Sequence, residues 1–204
     1  MPKIVDHDKY RKELADKCMD LFSKKGYANV TMREISKELG VSTGSLYHYF
    51  PNKEAIFAHM AEHLSQTDVA TVLAKVDDSS GARERLTVYG DHWSANRGYY
   101  QSIILLAIDF IRNYTGQDKD IVKREYVQYY IDAMAENLGV PEELARYIYV
   151  HMIGLFYYEL VFPGTDAFGK QLELFIDMFI AYAEKLDRAS AAPVPNGRKG
   201  RTAG

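Results

Sequence analysis

V-T-M-R-E-I-S-K-E-L-G-V-S-T-G-S-L-Y-H-Y-F, running from Val30 to Phe50, holds two short helix patterns around Gly40-Val41-Ser42. Thr31 followed three residues later by Glu34 is a capping box, so a helix is expected to start here. Ile35 and Leu39, four apart, give that helix one apolar side, and Gly40 suits a left-handed residue at its end. Ser42 can cap a second helix, Thr43 to Tyr49, which Pro51 soon stops. Two helices joined by a three-residue turn containing glycine form a helix-turn-helix. In that motif the second helix lies in the DNA major groove and reads bases from its N-terminal residues.

Those residues are Ser42, Thr43, Gly44 and Ser45, all small enough to let the backbone approach a duplex. Tyr47 and His48 follow on the next turn, where their polar tips can reach phosphates. Lys53, just inside the next helix, is expected to add charge at the DNA backbone, and Thr31 completes the expected contact set. An ordinary αα-hairpin with a chance turn is the competing reading of this stretch alone.

The flanking residues decide between the two. L-A-D-K-C-M-D-L-F-S-K-K-G-Y (Leu14–Tyr27) and T-M-R-E-I-S-K-E-L-G-V-S-T-G-S-L-Y-H-Y-F-P-N-K-E-A-I-F (Thr31–Phe57) closely resemble the N-terminal domain of the TetR family of bacterial repressors. The resemblance covers about Asp8 to Ser65. Its most specific residues are Phe22, Gly26 and Tyr27, then Thr31, Gly40-Val41-Ser42, Leu46-Tyr47, Phe50 and Lys53-Glu54. Cys18 stands where the family usually has alanine, and Leu39 is bulkier than usual before the turn. The resemblance implies an all-α fold: an N-terminal three-helix DNA-binding domain with a helix-turn-helix, then a C-terminal helical ligand-binding and dimerisation domain. It further implies a homodimer on double-stranded DNA, a palindromic operator and a small-molecule effector. The expected domains are residues 1–52, residues 53–187 and a disordered basic tail, 188–204.

Length and composition agree with such a protein. The chain has 204 residues, 47% of them hydrophobic, enough for a sizeable core. The longest apolar run, Ile103 to Ile108, is far shorter than the roughly 20 residues that span a bilayer, so no membrane is expected. Met1 to Asp8 lacks the apolar segment of a secretory signal, and the single cysteine, Cys18, fits a reducing cytoplasm. The net charge of −3 is unevenly distributed. Met1–Leu64 has ten Lys+Arg against nine Asp+Glu, Ser65–Asp187 has eleven against nineteen, and Arg188–Gly204 has four against none. Phosphate neutralisation is local, so a DNA face can be positive on a chain whose body is acidic.

Helical patterns continue to the end. Leu14, Ala15, Cys18, Leu21 and Phe22 mark a helix over about His7–Lys25. Asn52 caps a long one expected to reach about Val76. Ala82–Asn96 and Tyr99–Asn113 follow, with the bend placed at Gly98. Asp118–Leu138, Glu142–Phe162 and Ala167–Leu186 complete the set. The Glu142–Phe162 helix is apolar nearly all round and needs cover on every side, which a partner subunit can supply. Leu155, Glu159, Leu172, Phe175 and Phe179 are the expected dimer-interface residues.

Eleven of the sixteen tyrosines fall between Tyr89 and Tyr158. Rings with polar tips suit a ligand pocket, although they also populate bundle cores. Tyr89, His92, Trp93, Phe110, Tyr126, Tyr130 and His151 are the expected ligand-contacting residues, and Asp109 and Glu159 also stand out as polar groups in apolar surroundings. No catalytic order of Ser, His and acid, no phosphate loop and no metal spacing is recognisable. An enzyme is therefore not expected, nor any cofactor or metal. A regulator answering to a protein partner instead of a small molecule remains the alternative.

Overall fold

The helix α1 (His7–Lys25) buries Leu14, Ala15, Cys18, Leu21 and Phe22 along one side, and Gly26, with φ +79°, ends it. A computed structural model describes residues 7–77, 80–114, 123–164 and 167–191. Against that side pack α2 (Met32–Leu39) and α4 (Lys53–Leu73), with α3 (Thr43–Tyr49) resting on α2. Leu46 and Phe50 are wholly buried, so α3 is pinned from beneath while its other side stays open. Asn52 caps α4 by accepting from the Ala55 N–H at 2.7 Å.

The body follows as α5 (Ala82–Ala95), α6 (Arg97–Asn113), a π-helical segment (Lys123–Gln128) continuous with α7 (Tyr129–Leu138), α8 (Glu142–Val161) and α9 (Ala167–Ala191). Among the described residues there is no strand, and no helix is long and apolar enough to cross a membrane. Both α4 and α6 touch α1, so two helices, not α4 alone, connect the DNA-reading unit to the body. The Phe110 ring on α6 stacks on Phe57 of α4 at 4.1 Å, and the Ala28 N–H donates to Asp109 of α6 at 3.3 Å. The approach is close: a Cβ on Gly26 would lie 3.1 Å from the Asp109 carboxylate. Further out, α8 packs on α6, α7 and α9, while α9 lies against α5.

Several boundaries differ from the sequence expectation. Helix α4 stops at Leu73, three residues short of Val76, where two further turn hydrogen bonds close the chain. The α5–α6 break falls at Asn96, whose side chain turns back onto the His92 carbonyl at 2.8 Å, and not at Gly98. Helix α9 continues to Ala191, so Arg188–Ala191 is helical and not tail. The expected helix start at Asp118 and the tail residues 192–204 lie outside the described residues.

Candidate DNA interface and the helical body

The capping box expected at Thr31 forms. The Glu34 N–H donates to Thr31 Oγ1 at 3.3 Å, and the Thr31 N–H donates back to Glu34 Oε2 at 3.0 Å. The Thr31 backbone N–H, and then its hydroxyl, hold the Glu34 carboxyl below its ordinary range. Gly40 adopts φ +68° and ends α2, and Ser42 caps α3 by accepting from the Ser45 N–H at 3.0 Å. Thr43 Oγ1 lies 3.1 Å from Ser36 Oγ, which locks the start of α3 to α2.

This scaffold leaves Ser42, Thr43, Gly44, Ser45, Tyr47 and His48 exposed together, with Tyr47 at 51%. Gly44 is informative. A Cβ there would meet only Ser42 Oγ at 3.9 Å, so nothing in the protein's own packing requires glycine. Lys53 stands just inside α4, as the sequence reading placed it, but its ammonium turns back into the protein. Its ammonium donates to the Tyr27 carbonyl at 2.7 Å and sits 4.1 Å from the centre of the Tyr27 ring, and burial lowers its pKa. Tyr27 in turn donates to Glu54 at 3.0 Å, so the start of α4 is clamped to the loop after α1. Thr31 likewise spends its hydroxyl on the cap. Sequence reasoning missed Arg33 and Lys37, which stand exposed on α2. The signal was available, since they lie four apart on the side opposite Leu39.

In the body, the structure brings some expected ligand residues together and separates others. Trp93, Tyr126 and Tyr130 line one cavity of about 30 Å³ with Tyr100, Tyr149 and Met134. That space holds little more than one water. Tyr89 packs against Trp93 at 5.5 Å, with its hydroxyl unpartnered and its pKa pushed by burial to about 12. His92 lies behind the wall with Nε2 3.5 Å from Asp68 Oδ1. Tyr130 donates to the other Asp68 oxygen, so a buried carboxylate on α4 anchors this cluster. The sequence reading missed Asp68. Its position in the α4 stripe, between Ser65 and Val72, was the available sign.

Phe110 and His151 belong elsewhere. Phe110 is buried in the stack with Phe57, between the body and the DNA unit, because α6 carries it a further two turns beyond the cavity. His151 stacks on Phe175 at 4.1 Å in a groove between α8 and α9. That groove, about 480 Å³, is bordered by Tyr147, Leu174, Met178 and Tyr182. The interface expectation also needs correction. Leu155, Leu172, Phe175 and Phe179 are buried within the protomer itself, and Glu159 pairs with Arg97 at 3.1 Å. The large apolar side chains that α8 and α9 expose, among the described residues, are Tyr147, Val150, Tyr157, Tyr158, Val161, Leu174, Met178 and Tyr182. On a helix apolar all round, the sequence shows two stripes and does not say which faces in.

Comparison with known proteins agrees with this architecture. Residues 14–60 match the family model described as bacterial regulatory proteins, tetR family. The HTH-type transcriptional regulator PksA of Bacillus subtilis is 38% identical over 58 residues, 28% of either chain. The chain spans between 28% and 47% of the length of the first curated relatives it matches. A crystal structure of a transcriptional regulator assigned to the TetR/AcrR family superposes with a TM-score of 0.69 at 23% identity, covering 84% of this chain and 99% of that one. The transcriptional regulator FadR from Bacillus subtilis, crystallised in complex with stearoyl-CoA, superposes with a TM-score of 0.65 at 16% identity, covering 82% and 96%. Residues 14–60 thus match the N-terminal domain of the TetR family, and the helices that follow are TetR-like in fold.

Proposed function

We propose that this protein is a homodimeric transcriptional repressor that binds a palindromic operator and is released from it by a small molecule. The observation that carries the DNA-binding part is the open N-terminal half of α3, where Gly44 lacks a side chain for no internal reason. Thr43, Gly44 and Ser45 approach base edges, while Tyr47 and His48 reach phosphates. Arg33 and Lys37 add charge beside them. The exposed apolar stripes of α8 and α9 support the dimer: eight large side chains on these two helices need cover. Two copies joined through these helices form a four-helix bundle with one recognition helix on each side. Two-fold symmetry then demands half-sites about one helical turn apart, or slightly more.

The cavity among Trp93, Tyr126 and Tyr130 supports the effector part, and FadR from Bacillus subtilis, of like fold, was crystallised with stearoyl-CoA. A ligand there reaches α4 through Asp68, and α6 through Tyr100. Both helices end against the DNA unit, at Tyr27 and Ala28. A ligand that prefers a changed spacing of α4 and α6 therefore lowers operator affinity, and operator lowers its affinity equally. The test is to select duplexes from a random pool with the purified protein. Enrichment of a two-fold symmetric sequence is expected. Selection of an asymmetric site, or of none, overturns the reading.

A further inference from the structure

Asp68 is 8% exposed and, among the described residues, pairs with no Lys or Arg. Its oxygens accept from the hydroxyls of Tyr130 and Tyr100, and the one basic group beside it among the described residues is His92. His92 Nε2, at 3.5 Å, makes no hydrogen bond, and neither does the buried Tyr89 hydroxyl one turn earlier on α5. Phenols solvate a carboxylate without neutralising it, so Asp68 has hydrogen-bond donors but, His92 apart, no cationic side chain beside it among the described residues. Burial and Asp68 raise the pKa of Tyr100 and Tyr130, so both remain neutral donors.

Tyr100 and Tyr130 are also walls of the cavity. The remaining aromatic wall is Trp93, Tyr126, Tyr149 and Phe156, and among the described residues no Lys or Arg lines it. Ring faces carry negative potential, and Asp68, which stands behind the Tyr100 and Tyr130 hydroxyls and not in the cavity lining, adds to the attraction for positive charge. An anionic head group meets repulsion from both. A neutral apolar ligand gains nothing from a buried charge that costs stability to keep.

We propose that the body binds an organic cation, an amine or quaternary ammonium on an apolar frame, among Trp93, Tyr100, Tyr126 and Tyr130, with Asp68 as its counter-charge. The proposal rests on the effector reading above and names the class of that effector. The cavity must widen to admit such a group. The wall that carries Tyr126 is the π-helical segment Lys123–Gln128, and a wide turn of this kind marks functional positions in helices. Movement there, together with a pull on Asp68, places the response on α4.

The experiment uses the full chain and the fluorescence of Trp93, its one tryptophan. Three probes of similar shape are titrated: benzyltrimethylammonium, the neutral isostere neopentylbenzene and the anion benzenesulfonate. The cation is expected to quench Trp93 with at least tenfold tighter affinity than either of the others. Asp68→Asn should abolish that preference while leaving the neutral probe unaffected. Tyr130→Phe removes one hydroxyl from Asp68 and should hold or strengthen cation binding, and it decides the matter if Asp68→Asn does not fold. Equal binding of cation and isostere, no quenching by the cation, or weakened cation binding in Tyr130→Phe overturns the proposal. Repeating the cation titration with selected operator DNA present separates the two readings. Unchanged affinity there leaves the cation site standing and removes release as its consequence.

Discussion

Gly44 and Lys53 show how differently two residues of one motif can serve it. Gly44 sits in α3, where a Cβ meets nothing closer than 3.9 Å. Replacing an exposed helical glycine by alanine stabilises a fold by roughly 0.5–1 kcal/mol. Gly44→Ala is therefore expected to raise the melting temperature slightly and yet weaken operator binding, read by thermal melts and fluorescence anisotropy. A variant that binds DNA as well as the parent removes the close-approach argument. Lys53 is the opposite case, since its ammonium is held by the Tyr27 carbonyl and ring. Loss of that hydrogen bond and cation–π contact costs about 1–2 kcal/mol, so Lys53→Ala should unfold at lower denaturant as well as bind DNA less tightly. If its stability is unchanged, the clamp has no energetic weight. Thr31, Gly40 and Ser42 could be read from the sequence because capping partners lie within three residues. Tyr27 lies twenty-six residues from Lys53, and no local pattern announces such a pair.

The helices themselves were readable because a period of 3.6 survives in α1, α2 and α9, whose buried residues recur on one side. What the pattern could not give was direction. Helix α8 carries Ile148, Met152 and Leu155 inward and Tyr147, Val150 and Val161 outward, and both rows are apolar. By sequence either row could face a partner, and burial places the row with Leu155 inside the protomer. The role of α6 was hidden for another reason. Its Ile103–Ile108 run announces burial, but only tertiary packing shows that the last turn reaches the DNA unit through Asp109 and Phe110. Phe110 is 1% exposed and stacks on Phe57, so Phe110→Ala should cost about 3–5 kcal/mol. The milder Phe110→Leu tests coupling: it should keep DNA and effector binding but shrink the effect of each on the other. An unchanged ratio of effector affinities with and without operator would assign the coupling to α4 alone.

At the scale of the whole molecule, the proposed dimer face is the α8–α9 surface, and burial separates its residues into two sets with opposite mutant behaviour. Phe175 is 4% exposed and Met178 62% exposed, although they lie three residues apart on α9. A charge at Phe175 is buried in the protomer, which costs several kcal/mol and should give aggregated or unfolded protein. A charge at Met178 is solvated in a free protomer and buried only in a dimer. Met178→Glu should therefore keep helical circular dichroism while sedimentation shows a smaller species. A Met178→Glu dimer as tight as the parent would place the interface elsewhere. Acid should act on the same surface through His151, whose pKa is lowered by burial and whose Nε2 has no partner. Because the folded value lies below the ordinary one, the open state takes up a proton that the packed state refuses. Stability from this group is thus complete above about pH 7, falls as the pH drops through about 6.5, and levels off below the folded value. His59 is lowered too, by burial first and then by Arg11, and adds a slope of the same sign from the DNA unit. The comparison that isolates the groove is therefore a difference. Unfolding free energy measured between pH 7.5 and 5.5 should fall with acid in the parent and lose part of that slope in His151→Leu. Identical slopes in the two proteins would show that His151 does not sense the packing of the groove.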